Sequence, residues 1–204
     1  AAWQMKEESF LKDVAFLDDL KFRIGYGTSG NQDGLDPYLS LALYGRSGQY
    51  YDNGKWYSAY EFAQNENPNL KWEETSMFNV GFDYSFLKGR INGSIEYYNK
   101  NTDDLLYTYS VPQPPYLKAT MMANVGSMSN KGFEVLLSGD IIRKNDLRWT
   151  MTVNFAHNKN EITSLSNENF TTSSIKTGSA WIRGGSNNTT HIVEEGKEVG
   201  TFYG

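Results

Sequence analysis

"MFNVGFDYSFLKGRINGSIEYYNKN", residues 77–101, gives one backbone two opposite environments. Phe78, Val80, Phe82, Tyr84 and Phe86 alternate with Asn79, Gly81, Asp83 and Ser85. After the short "LKGR" segment (87–90), Ile91, Gly93, Ile95 and Tyr97 alternate with Asn92, Ser94, Glu96 and Tyr98. Side chains on a strand point to opposite faces with period two, so the stretch predicts a tight antiparallel hairpin with one apolar face.

The pattern recurs downstream. In "GFEVLLSGDII" (132–142), Phe133, Val135 and Leu137 stand opposite Glu134, Leu136 and Ser138. "RKND" (143–146) reads as a turn, and "LRWTMTVNFAHNKN" alternates Leu147, Trp149, Met151, Val153 and Phe155 with Arg148, Thr150, Thr152, Asn154 and Ala156. Upstream, "LKFRIGYG" (20–27) puts Leu20, Phe22, Ile24 and Tyr26 on one face and Lys21, Arg23, Gly25 and Gly27 on the other. The first residues, up to Phe22, read as a short helix or an irregular edge. Residues 28–72 read as mostly loop, with a strand at "YLSLALY" (38–44). The prolines of "YSVPQPPYLKAT" (109–120) belong to a loop, since proline cannot donate to a ladder. Residues 159–204, rich in Ser, Thr, Asn and Gly, read as a long excursion with one or two strands.

Connection lengths therefore alternate. The turns 87–90 and 143–146 are tight, whereas 28–72, roughly 104–119 and 159–190 are long. Short turns at one end and long loops at the other characterise transmembrane barrels, whose strands alternate and never look hydrophobic in a running average. That accommodates a mean hydropathy of −0.59 with aromatics at 15%. No run approaches the roughly 18–20 apolar residues of a transmembrane helix. The 204 residues include no cysteine and only two histidines, His157 and His191, and the net charge is −5. Disulfides and thiolate zinc are excluded, and a nucleic-acid partner is disfavoured.

One motif points elsewhere. Gly25, Gly27 and Gly30 spell G-x-G-x-x-G in "RIGYGTSGNQDG" (23–34). A dinucleotide loop needs a helix to follow, whose N-terminus holds the pyrophosphate. "NQDGLDPYLS" instead carries turn residues, so the glycines read as strand alternation on the face of Arg23, with Gly30 and Asn31 turning the chain into a loop. Asp103-Asp104 and Glu194-Glu195 are sequence neighbours that a strand would point apart, so neither is a shared acid/base pair. "NQDGLD" lacks the spacing and closing Glu of a calcium loop. His191 reads as a polar loop residue, and the sequons at 169–171 and 188–190 as incidental.

Five blocks then carry a family resemblance: "LKFRIGYGTSGNQ", "NPNLKWEETSMFNVGFDYSFLKGRINGSIEYYNKNTDDLL", "ANVGSMSNKGFEVLLSGDII", "RWTMTVNFAHNKNEITSL" and "VEEGKEVGTFYG". In order and over nearly the whole chain, they resemble the C-terminal barrel of SusC/RagA-like TonB-linked outer-membrane proteins, nutrient importers of the Bacteroidetes. The resemblance implies an all-β fold: a segment of an antiparallel, up-and-down transmembrane β-barrel of 22 strands. Residues 1–204 would be a partial barrel domain without the plug, the TonB-contacting segment and the last barrel strands. Residues 28–72 and 159–190 would be long extracellular loops. It further implies a location in the cell outer membrane among its lipid, a SusD-like surface lipoprotein as partner, energy from a TonB complex acting through the plug region, and a glycan or peptide ligand. No catalytic, cofactor-binding or metal-ligating residue is assigned.

The residues that invite function are aromatic. Tyr50, Tyr51, Trp56, Tyr57 and Tyr60, with Phe62, crowd one long loop, where they could stack on a sugar ring, press against a capping partner or simply pack the loop. Tyr97, Tyr107, Tyr109 and Trp149 are expected at the girdle of the bilayer boundary. A soluble carbohydrate-binding β-sandwich is the alternative, and it requires the apolar faces to close on one core.

Overall fold

The computed structural model describes residues 1–167, 172–178 and 189–203. The elements run β1 (Ala2–Gln4), a 3-10 turn (Met5–Glu7), β2 (Leu17–Asn31), β3 (Leu43–Asp52), β4 (Lys55–Gln64), β5 (Glu73–Phe86), β6 (Ile91–Asp103), β7 (Leu106–Ser110), β8 (Thr120–Asn124), β9 (Ser127–Lys144), β10 (Leu147–Ser164), β11 (Ser174–Thr177), β12 (His191–Glu194) and β13 (Thr201–Phe202). No α-helix occurs among the described residues. One six-stranded antiparallel sheet takes the order β1-β2-β5-β6-β9-β10. That is chain order with the smaller hairpins β3–β4 and β7–β8 left out, an up-and-down wall.

Register aligns the alternation of each strand with that of its neighbours. Phe22, Phe82, Ile95, Val135 and Phe155 form one cross-strand row, and Ile24, Val80, Tyr97, Phe133 and His157 the next. These rows build a continuous apolar face, and its members stand in the open: Ile95 is 48% exposed and Phe155 56%. On β2, β5, β6, β9 and β10 the last apolar residue of this face before the long connections is aromatic: Tyr26, Phe78, Tyr97, Phe133 and Phe155. Beyond them the same face turns polar, with Thr28, Ser76, Asn99, Lys131 and Lys159. The eight steps from Phe86 to Phe78 span about 26 Å at the usual rise of a strand, close to the height of a bilayer-facing band.

Two tyrosines pin the register by lying over glycines of the adjacent strand. Tyr84 Oη donates to the Leu136 carbonyl at 3.3 Å across Gly93, where a Cβ would collide with that carbonyl. Tyr98 covers Gly132 in the same way on the opposite face. A ring laid over a bare glycine backbone covers a gap and fixes the pairing.

The tightest packing is at one end. Tyr109, Val111, Met121, Ala123, Val125, Ile162, Leu165 and Ile192 are buried, all within the long connections or where they meet the sheet. The wide sheet itself encloses no core among the described residues, so the β-sandwich reading fails on packing.

Several expectations need correction. Only Leu43 and Tyr44 of 38–44 are strand, and Tyr38 sits at φ 68. Residues 45–64, expected as loop, join Leu43 and Tyr44 in the β3–β4 hairpin, turned by Asn53 (φ 48) and Gly54 (φ 80), the geometry favoured by Asn-Gly. Gly30 and Asn31 do not turn the chain: both remain in β2, paired with Glu74 and Glu73, and the first glycine with positive φ is Gly34 at 90. Residues 106–110 and 120–124 add a hairpin to the proline loop. Tyr107 and Tyr109 therefore lie in that hairpin, not at the girdle; Trp149 lies near the short-turn end. β10 continues to Ser164, well into the expected 159–190 excursion. Other parts of that excursion, with both sequon asparagines, lie outside the described residues.

Candidate functional site

All three long connections leave the same end of the sheet, and each carries its own small strands. The 87–90 turn and the two-residue 145–146 turn are at the other end. The aromatic residues singled out in the sequence occupy the first connection, on β3–β4. Register divides them. Tyr51 faces Trp56 (5.2 Å between ring centres), and Tyr60, Tyr44 and Phe62 share their side of the ribbon. Tyr50 stacks on Tyr57 at 5.5 Å on the other side. The structure thus joins Tyr51, Trp56 and Tyr60 in one strip and separates Tyr50 and Tyr57 from it. Trp56 and Tyr60 are each 66% exposed. Trp56 and Tyr60 thus stand out from the hairpin rather than packing it onto its neighbours.

The hairpin is fastened at its base by asparagines that the sequence reading did not single out. Asn65, nearly buried, donates to the Lys118 and Thr120 carbonyls at 2.8 and 2.9 Å. Its Oδ1 accepts from the Leu117 and Lys118 amides, both at 3.0 Å. One amide side chain thereby replaces the partner strand for residues 117–120. Asn67 donates to the Met122 carbonyl, and Asn124 brackets Lys71 by accepting from its amide and donating to its carbonyl. Lys71–Asp104 (2.6 Å) and Glu73 Oε1 accepting from the Leu106 amide complete the join. The signal available was the run of Asn at 65, 67 and 69, since Asn satisfies both donors and acceptors of a neighbouring backbone. A cleft of about 560 Å3 opens above this join, between Phe62 and Ala42 on one side and Pro115–Leu117 on the other.

The second connection is anchored by Tyr109, whose hydroxyl donates to the Val125 carbonyl at 3.1 Å. Burial, with Tyr107 adding to it, pushes this phenol up to about 12. The third connection is tied back by Glu195, which accepts from the Leu165 amide and the Ser166 hydroxyl. Asn167 links it to the second through the Asn124 carbonyl.

The polar face of the sheet carries charge at mid-height. Arg23 bonds both oxygens of Asp83 at 2.9 and 3.0 Å and reaches Glu96 at 3.3 Å. It crosses β5 at Gly81, where a Cβ would lie 3.3 Å from the guanidinium. Gly25, on the same face, leaves its space to the Asn79 side chain. The Gly25–Gly27–Gly30 motif lies wholly inside β2, with no helix after it. Asp104 and Glu195 hold loops rather than a substrate, and Asp103 ends β6, paired with Glu74 and Ser127. Asn31, the last residue of β2, accepts from the Asp33 amide and so caps the turn that follows it. His191, expected in a loop, is in β12 against Phe202, with Thr190 Oγ1 at 2.8 Å.

A one-sided apolar band between a tight-turn end and a laced loop end is the pattern of a transmembrane β-barrel strand array, and known proteins agree. Residues 2–191 match the family described as TonB dependent receptor-like, beta-barrel. The chain is 37% identical over 203 residues to the TonB-dependent receptor SusC of Bacteroides thetaiotaomicron, covering 98% of this chain and 20% of that protein. It is 34% identical over 202 residues to the TonB-dependent receptor P39 of Formosa agariphila, covering 99% of this chain and 17% of the relative. Among solved structures, the RagAB peptide transporter superposes with a TM-score of 0.77 at 26% identity, over 98% of this chain and 20% of that one. The RagAB peptide importer in its open-open state gives 0.78 at 26%, over 96% and 19%. The chain thus spans about a fifth of the length of these relatives. The family is one of outer-membrane receptors and transporters rather than enzymes. This chain belongs to the TonB-dependent receptor β-barrel family.

Proposed function

We propose that this chain is a wall section of a TonB-dependent importer in the outer membrane, taking up oligosaccharides or peptides with a SusD-like surface lipoprotein. The TonB complex would drive it through a plug held against the polar face. The observation that carries the reading is the apolar band itself. It is registered across five strands, ends in aromatics, and backs a face that carries Arg23, Asp83 and Glu96. An apolar exterior and a hydrated, charged interior are what a barrel wall needs.

In this orientation the short turns face the periplasm, and the long connections, including 28–72 and 159–190, face outward. The β3–β4 hairpin then stands at the mouth. Its strip of Tyr51, Trp56 and Tyr60, and the Tyr50–Tyr57 pair behind it, are placed to meet the ligand or the lipoprotein. Exposed Tyr and Trp offer large, rigid contact area with a polar tip, suited to sugar rings and to a protein partner alike.

The test is deletion of the intact gene, followed by growth and uptake on a panel of polymeric glycans and peptides. Loss on one nutrient class is expected, restored by the wild-type gene. Unchanged uptake across the whole panel would refute import as the function.

A further inference from the structure

The short-turn end carries a cluster of cations that the import reading does not use. The turn after β5 contributes Lys88 and Arg90, and the end of β9 contributes Arg143 and Lys144. The structure draws the two segments together. Arg143 Nη1 donates to the Lys88 carbonyl at 3.3 Å, and Arg90 donates to the Asp140 and Ile141 carbonyls at 2.9 and 3.2 Å. Asp140 is claimed by Arg148 and Thr150, and Asp18 by the Gly89 amide at 2.9 Å. Among the described residues, neither Lys88 nor Lys144 takes part in an ion pair, and Arg90 and Arg143 bond only carbonyls. Lys88 and Lys144 are therefore two cations of this rim without a counter-ion among the described residues, although Asp18, held by the Gly89 amide, and Asp146 stand in the same rim.

This cluster borders the apolar band. Lys144 pairs with Leu147 and shares the lipid-side face with Ile142 and Trp149. Trp149 is 53% exposed and Leu147 55%. Exposed aromatic and aliphatic groups beside long cationic side chains make an interfacial collar, in which the stems lie on hydrocarbon and the heads reach the phosphate level.

We propose that the rim made by the 87–90 and 145–146 turns binds the headgroup of an anionic phospholipid in the leaflet on that side. Lys88 and Lys144 hold the phosphate, and Trp149 and Leu147 take the upper acyl chain; Arg143 pairs with Arg148 on the polar face and stays on carbonyls with Arg90. Charge complementarity and continuity with the lipid-facing band select a phospholipid over a soluble anion. The inference rests on the barrel reading above.

The intact protein is reconstituted in nanodiscs of phosphatidylcholine alone, of equal parts phosphatidylcholine and phosphatidylglycerol, and of phosphatidylcholine with added inorganic phosphate. Lipid retained on gentle detergent extraction is counted by native mass spectrometry. Wild type should retain phosphatidylglycerol in preference to phosphatidylcholine. The Lys88→Gln/Lys144→Gln variant should retain it at least tenfold less, since each cation near an anionic surface is worth about fivefold in binding. Neither lysine side chain holds the turn, so the variant should insert normally in phosphatidylcholine, and single Lys144→Gln serves if it does not. Equal retention by wild type and variant overturns the proposal. So does release of the bound lipid by inorganic phosphate, which would mark a site for a soluble anion. Failure of wild type to insert in phosphatidylcholine would overturn the barrel reading instead.

Discussion

Single residues decide how closely the strands of this wall approach. Gly132 is the clearest case, because a Cβ there would lie 2.5 Å from the His157 carbonyl oxygen and 2.8 Å from Tyr98 Oη. Gly132→Val in the intact protein should therefore lower folding stability by about 1–3 kcal/mol, the usual cost of overpacking. Gly139→Val is the control, since a Cβ there meets only the Arg90 carbonyl, at 3.7 Å. Urea titration of refolding into vesicles should separate the two; equal losses would refute the Tyr98-over-Gly132 account. Tyr109 makes a second prediction. Its folded pKa is raised to about 12, above the ordinary phenol value near 10. The folded state thus binds this proton more tightly, so the stabilisation is complete below pH 10 and fades as pH rises towards 12. Hydrogen exchange at residues 120–125 should accelerate across that window in wild type, and Tyr109→Phe should flatten the response.

At the scale of the element, each long strand of the six-stranded sheet presents one apolar face and one polar face. Val153 and Asn154 are adjacent on β10, yet pair with Leu137 in the apolar band and Leu136 on the polar face. Val153→Lys should cost about 2–4 kcal/mol, the price of a cation near the bilayer midplane, whereas Asn154→Lys should cost little. Refolding midpoints in vesicles measure both, and similar costs would mean the faces have been assigned the wrong way round. This two-faced character was legible in the sequence for β2, β5, β6, β9 and β10, because apolar and polar residues there alternate with period two. It was hidden in β3–β4, where Tyr50 and Tyr51, and again Trp56 and Tyr57, put aromatics on both sides. The local signal that survived was Asn53-Gly54, a hairpin turn. The asparagine join was equally hidden, since Asn65 lies 52 or more residues from the backbone it clamps, and nothing local marks the pairing. For the hairpin itself, the two sides should separate functionally. Trp56→Ala and Tyr60→Ala together should weaken ligand or lipoprotein binding by tenfold or more, the scale of an aromatic hot spot. Tyr50→Ala, on the opposite side, measures whether one strip or both carry the contact. Calorimetry on purified variants reads this directly, and unchanged affinity in all of them would assign the aromatics no binding role.

Across the whole molecule, burial is distributed the reverse of a water-soluble domain. The residues that pack tightly, such as Tyr109, Ala123 and Val125, belong to the laced connections. The broad sheet leaves Phe82, Ile95, Leu137 and Val153 each at least 40% exposed on one continuous side. A patch of that extent on a soluble protein marks a membrane or protein contact. The sheet also ends in two edges: β1 covers only Ala2–Gln4 along one side of β2, and β10 has no partner strand on its outer side among the described residues, where Gly196 and Lys197 bond its backbone only at Ile162. Open edges beside an apolar face pair with other chains in water. Residues 1–204 expressed alone should consequently sediment as aggregates in aqueous buffer and show no cooperative unfolding. Detergent should disperse them by covering the band, but should not restore a single oligomeric state, because it leaves the β10 edge open. Sedimentation velocity with and without detergent measures this. A monomer in water with a sharp thermal transition would mean that the apolar faces find a closed core within these residues, and that the wall is a complete domain in its own right.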